Sequence, residues 1–327
     1  MSMFRKIHSA LAAAALLAFT GGAQAADWKP EKPIKLIIPF APGGATDVVS
    51  RILAAKVTET IGQPVVVENR AGGGGLIGLS AVREARPDGY TVLVTTIGFG
   101  ANPALYRHKK IPYDPLKDFT LITRTADIPT VLVVPPSLGI NTLQEFIDRA
   151  KANPGTLSLG SAGYGTVNHL AGELFKAETG IQTIHVPYRS GGLSTAAVVS
   201  GEISGLFATT PSALGHIKNK AMVPLAMGSS KKIDALPDVE PTAKLVPGFD
   251  VPDWQGLIGP AGLPKNIVDT LNAQFAAALK DPDVVKRLSD LGAVPAASTP
   301  EEFVAFVTSE VKKWNGVADR TGMKAEN

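Results

Sequence analysis

The chain contains no cysteine. That excludes disulfides, thiol nucleophiles, iron–sulfur clusters and cysteine-rich zinc sites. Most small extracellular domains need disulfides, but a chain of 327 residues does not. Aromatic residues are scarce, at 6%, and no long basic run occurs, so nucleic acid has little support as a partner. No Gly-Lys dipeptide is present, which excludes a P-loop, and no Gly-x-Ser-x-Gly, which excludes a nucleophile elbow. Of the histidines, His8 lies near the start, and His108, His169, His185 and His216 show no HExxH or other ligand spacing. No carboxylate pair stands out as an acid–base couple. After residue 25 no apolar run is long enough to cross a bilayer. Neither a cofactor nor a metal is expected.

What is present is a globular composition. Hydrophobic residues make up 45% of the chain, enough for a sizeable core, and the length allows two domains. Residues 1–25 read as a secretory signal peptide: basic Arg5 and Lys6, an apolar stretch over 10–19, and a small-x-small site at Ala23-Gln24-Ala25. Their removal takes away two basic residues and no acid. The formal charge then falls from 32 basic against 29 acidic residues to 30 against 29, nearly neutral. A cysteine-free exported globular chain fits a bacterial periplasm, and a monomer is expected.

The stretch 34–47, IKLIIPFAPGGATD, organises the rest. Residues 34–40 read as a buried strand, and Pro39, Pro42, Gly43 and Gly44 end it in a tight loop. Thr46 is expected to cap a helix with Asp47 in its first turn, continued by Val48, Val49, Ile52, Leu53 and Val57 at helical spacing and stopped at Gly62. Such a strand–glycine loop–helix unit leaves unpaired backbone N–H groups at the helix start, a natural anion site, although many α/β units begin this way and bind nothing. Strands at 64–68 and 90–96 with a helix at 76–85 continue a βαβαβ plan and imply a parallel sheet. Residues 98–115 read as loop. A first domain crossing is placed near 125–129, and a second α/β series follows, with helices at 142–152, 166–179 and 192–200. Residues 231–253 read as an irregular return, then a strand at 254–258 and helices at 265–279, 282–291 and 300–317. The domains are expected at 26–126 with 250–327, and at 127–249.

Gly73 to Gly78 match G-x-G-x-x-G, but the next strand ends in Thr95 and Thr96 and carries no acid for a ribose, so a dinucleotide site is rejected. The glycine loops at 40–47 and 160–166 are the stronger signal. Both lie beyond the carboxyl ends of strands, where open α/β sheets bind ligands, and together they would clamp an anion across a cleft. The candidate ligand-binding residues are Phe40, Pro42, Gly43, Gly44, Thr46 and Asp47 on the first loop, with Thr95 and Thr96 beside it. On the second they are Ser161, Ala162, Gly163, Tyr164, Gly165, Thr166 and His169, joined by Tyr188 and Ala208. As a lone histidine, His169 is as readily a packing residue as a ligand. Asp47 and Arg51, spaced i, i+4, read equally as a surface pair. Tyr188-Arg189-Ser190-Gly191-Gly192 is a third lining segment.

PFAPGGATD, NRAGGGG, NPALY at 102–106, GSAGYGTVNHLAGELF at 160–175, VPYRSGG at 186–192 and LPDVEPT at 236–242 resemble the Bug-type periplasmic receptors of tripartite tricarboxylate transporters. The resemblance covers nearly the whole chain after residue 25, in order. It implies a two-domain Venus-flytrap fold of α/β class, each domain a mainly parallel sheet flanked by helices. It also implies a small organic carboxylate held between the loops at 40–47 and 161–166, partly through water, and delivery to membrane permease subunits. Relatives are expected to carry aspartates near Ser204 and Ala208; this sequence has neither. Asp47 is then the only acid in the segments assigned to the cleft, and a plain mono- or dicarboxylate is expected in preference to an amino acid, whose ammonium would need a counter-ion. The alternatives are an exported hydrolase or isomerase using Asp47 or His169 as acid–base, and a receptor that serves sensing.

Overall fold

The computed structural model describes residues 28–109 and 111–324, so the expected signal peptide lies outside the described residues. β1 (Ile34–Ile38) is apolar and stops before Pro39. α1 (Ala45–Ile61) begins at Gly44 and ends at Gly62, whose φ of 82° is the left-handed conformation that glycine adopts without penalty. Thr46 is inside the helix and does not cap it; Gly44 takes the cap position, and the Asp47 carboxylate reaches back to the Gly43 N–H at 3.0 Å. β2 (Val65–Asn69), α2 (Leu76–Arg83) and β3 (Thr91–Thr96) complete the first βαβαβ run.

α3 (Gly98–Leu105) lies where loop is expected. Its glycines and Pro103 depress intrinsic helicity, but tertiary packing overrides propensity. A Cβ on Gly100 would lie 3.2 Å from the Glu310 Cβ, so the missing side chain lets the C-terminal helix pack closely. β4 (Phe119–Ile128) and β5 (Thr130–Val134) are separated by Pro129 alone. α4 (Leu143–Ala152) starts at a capping box made by Thr142 and Glu145. β6 (Ser158–Ser161), α5 (Val167–Thr179), β7 (Ile184–Pro187), α6 (Gly191–Val199) and β8 (Leu206–Thr209) follow. α7 (Thr210–Lys218) has no counterpart among the expected helices; its Pro211 stands in the first turn, where proline is favoured. β9 (Val223–Met227) leads into an irregular return segment. β10 (Asp253–Pro260), α8 (Lys265–Ala278), α9 (Pro282–Asp290), β11 (Val294–Pro295) and α10 (Pro300–Thr321) end the chain.

The first sheet has the order β11-β4-β10-β3-β1-β2. The second half holds β8-β5-β9 and the pair β6-β7, bridged by Leu159 and Gly205. The six-stranded sheet is mixed; in the second half β8-β5-β9 is antiparallel and β6-β7 parallel, where mainly parallel sheets are expected. β1 pairs parallel with β2 and β3, and β6 with β7, but β10 runs antiparallel to β3 and β4, and β5 to β8 and β9. The cause is the crossing. A strand arriving from the other half enters where its neighbours end, and so must run against them. The two arriving strands meet there: Thr130 O accepts from the Gly228 N–H at 2.7 Å, and the Thr130 hydroxyl donates to Val251 O at 3.1 Å.

Gly256 sits under the wholly buried Phe303, and a Cβ there would overlap the ring. Gly256→Ala is expected to cost roughly 1–3 kcal/mol by overpacking. Gly316→Ala, mid-helix in α10 with nothing within 4 Å, is expected to be neutral or stabilising by about 0.5–1 kcal/mol. Urea denaturation of the two variants checks both.

Candidate functional site

The cleft between the halves collects helix starts. Gly44, Thr166, Ser190 and Thr209, the residues at which α1, α5, α6 and α7 begin, all line it. Only Ser190 caps its own helix, accepting from the Leu193 N–H at 3.3 Å; Gly44, Thr166 and Thr209 make no such bond. First-turn N–H groups at α1 and α5 thus face a shared space without a side-chain cap, whereas at α7 the Thr210 N–H donates to Pro129 O and Pro211 has none to offer. The remaining wall is Phe40, Ala41, Ala45, Thr46, Thr96, Ala162, Val167, Asn168, Gly191 and Asp253, with no lysine, arginine or histidine. Positive potential here comes from backbone dipoles.

An adjoining chamber shares Phe40 and Ala162 and adds Gly72 to Gly75, Tyr106, Gly163, Tyr164, Tyr188 and Arg189. The halves touch through glycine. A Cβ on Gly98 would lie 2.5 Å from Gly165 O, and one on Gly74 would overlap the Tyr164 carbonyl oxygen. The Gly73 to Gly78 motif therefore serves a close approach between chain segments.

Of the expected residues, Phe40, Gly44, Thr46, Thr96, Ala162 and Thr166 line the cleft, and Gly163, Tyr164 and Tyr188 the chamber. Pro42 and Gly43 are exposed on the outer side of the loop, while Thr95 and Gly165 are buried off the wall. Ala208 packs in the core behind the second sheet, and Ser204 exchanges hydrogen bonds with Ser158 at the far end of β8. Ala41, Ala45, Val167, Asn168, Ser190, Gly191, Thr209 and Asp253 were not among the expected residues. Ser190 and Gly191 sat in the segment noted as a third lining element; Thr209 was hidden by the unrecognised α7.

Several expected residues stand behind the wall and hold it. Asp47 is 4% exposed, while the Arg51 it pairs with is half exposed, so only the carboxylate end of the pair is buried. It accepts from Arg51, from Asn69 Nδ2 at 2.9 Å and from the Gly43 N–H, tying loop, helix and β2 together. Burial raises its pKa, but Arg51, Gly43 and Asn69 together outweigh this and hold it below the usual carboxylate value. Ser161 is wholly buried; its hydroxyl bonds His185 Nε2 at 2.7 Å and accepts the Gly163 N–H at 3.0 Å. His169 Nδ1 accepts the Gly165 N–H at 3.2 Å, and its ring lies 4.5 Å from that of His185. Burial first, then the charges of His185 and Lys176, push His169 down to about 3, and burial followed by Lys176 pushes His185 down to about 4.

Asp253 alters the picture of the wall. It is 4% exposed, lines the cleft, and accepts one hydrogen bond, from the Ile97 N–H at 3.3 Å. Burial, and secondarily Asp127, push its pKa up to about 7 against the effect of Ile97. Asp47 thus lies behind the wall of the cleft, and Asp253 is the acid in its lining.

The geometry agrees with comparisons to known proteins. Residues 49–323 match the family described as the tripartite tricarboxylate transporter family receptor, TctC. The chain belongs to that family. BugT of Bordetella pertussis is 35% identical over 91% of this chain and 92% of its own. A Rhodopseudomonas palustris protein, Rpa4515, solved with adipate, superposes with a TM-score of 0.86 at 32% identity, covering 90% of this chain and 99% of the other. MatC from the same organism, solved with bound malate, gives 0.84 at 32% identity, covering 88% and 99%. The two-domain periplasmic-binding fold expected from the sequence is the fold of the receptor.

The histidine pair behind the second loop makes a pH prediction. A histidine whose folded pKa lies below its unfolded value of about 6.5 adds stability above that pH and loses it as pH falls toward the folded value. The receptor's melting temperature is expected to fall between pH 6.5 and about 4. The decline should be shallower in a His169→Gln/His185→Gln variant, compared with the parent by calorimetric melting across that range.

Proposed function

We propose that this receptor captures a small organic carboxylate in the periplasm and delivers it to the permease subunits of a tripartite tricarboxylate-type transporter. The observation that carries this reading is the convergence of four helix N-termini on a cleft without basic side chains. Oriented N–H groups satisfy a carboxylate directly, whereas a positively charged ligand would meet the wrong end of every dipole. The family and its relatives solved with adipate and malate support the same chemistry.

Transport fits better than catalysis. The two residues considered for acid–base work, Asp47 and His169, both lie behind the wall, each engaged in holding a loop. The division expected from the sequence, 26–126 with 250–327 against 127–249, joined by two crossings in a monomer, is part of the same proposal. Glycine contacts between the halves suit a clamp, because backbones that approach this closely need nothing removed for the halves to separate again.

A thermal-shift screen of organic acids, paired with product analysis, is expected to show stabilisation without turnover. Small-angle scattering should show a smaller radius with saturating ligand, as for hinge closure. Turnover, or an unchanged radius, counts against the reading. Gly44→Val should leave the fold intact, since a Cβ there meets only Ala41 O at 3.9 Å, yet lower affinity tenfold or more by projecting into the anion's place. Normal binding by this variant would put the site elsewhere.

A further inference from the structure

Asp253 is the one acid on a wall otherwise built to attract anions, and nothing nearby offsets its charge. Packed beside it, β3 contributes the neutral Thr96. β4 contributes Asp127, paired with Arg124. α3 contributes the Ile97 N–H and no charge in its first turn. α10, on the other face of β10, holds Glu310, which accepts from the Trp254 and Trp314 indoles and lies 3.8 Å from Lys313. The helix starts across the cleft are uncharged. Gln255, two residues on and so on the same face of the strand, is wholly buried with neither amide atom partnered, and it too is neutral. Among the described residues no basic side chain touches Asp253.

Two carboxylates sharing one buried space without a cation cannot both stay ionised. The helix N–H groups favour the ionised form of the solute, so the proton belongs on the protein. Building on the carboxylate reading above, we propose that Asp253 is a specificity residue that binds the solute in its protonated form, donating a hydrogen bond to it, so that capture takes up one proton. Such a site selects acids with an acceptor at the depth of Asp253 and couples their affinity to pH. The other titratable groups around the site lie outside the window: His169 and His185 near 3 and 4, and Tyr188 pushed up to about 12 by burial and Glu202.

The test is calorimetric titration of the receptor with adipate, malate and glutamate from pH 6 to 9, in two buffers of different ionisation enthalpy. Asp253→Asn, a neutral mimic of the same shape, is run beside the wild type. Expected for the dicarboxylates is a plateau at low pH, an affinity that weakens toward tenfold per pH unit above about pH 7, and proton uptake approaching one per ligand. Asp253→Asn should bind within a few-fold of wild type at pH 6 and stay flat to pH 9. A flat wild-type profile, or loss of binding at pH 6 in Asp253→Asn, overturns the proposal while leaving the carboxylate reading intact. Preference for glutamate without proton uptake overturns it too, since Asp253 would then be an ionised partner for ammonium. No binding of any of the three by the wild type at pH 6 overturns the carboxylate reading itself.

Discussion

The first N–H groups of a helix have no acceptor within the helix, and the structure depends on where it leaves them. Strands of both halves run toward the cleft, and the chain turns there directly into helices at Gly44, Thr166, Ser190 and Thr209. Parallel strand direction therefore fixes the polarity of the space between the halves before any side chain is chosen. Small residues follow from the same constraint. Gly74 and Gly98 have to leave room for the carbonyl oxygens of Tyr164 and Gly165, or the two sets of amides could not face one another across a short distance.

The two aspartates show how surroundings, and not residue type, set charge. Asp47 sits among donors: one backbone amide, one side-chain amide and one guanidinium. It stays ionised and acts as a brace. Asp253 has a similar exposure and a single long hydrogen bond, and burial then favours its neutral form. The first shapes the loop beside the cleft; the second lines the cleft itself.

Much of this was legible in the sequence. Apolar strands followed by glycine loops and amphipathic helices located β1, α1, β6 and α5, and the order of motifs pointed to the fold. Three things were not legible, each for a physical reason. α3 and α7 carry glycine or proline in short helices, where tertiary packing decides and local propensity misleads. Antiparallel β5 and β10 follow from the crossing, a property of the whole path. Asp253 opens a strand after a proline-rich stretch, and only the pairing of β10 between β3 and β4 brings it to the wall. The glycine loops also drew Ser161 and His169 onto the ligand surface by proximity in sequence, whereas their side chains turn inward to hold the loop.

The central place of β10 in the first sheet has a kinetic side. β3 and β4 lie on either side of it, yet both precede it by the whole of the second half. A chain emerging from its N-terminus completes β5 to β9 while β3 still has an open edge. Loop closure across so long a segment is slow, and an open hydrophobic edge is what aggregation uses. The half that begins the sequence is thus the half that finishes folding last, and anything that holds β3 apart from other chains until Asp253 to Pro260 arrive would act as a folding aid.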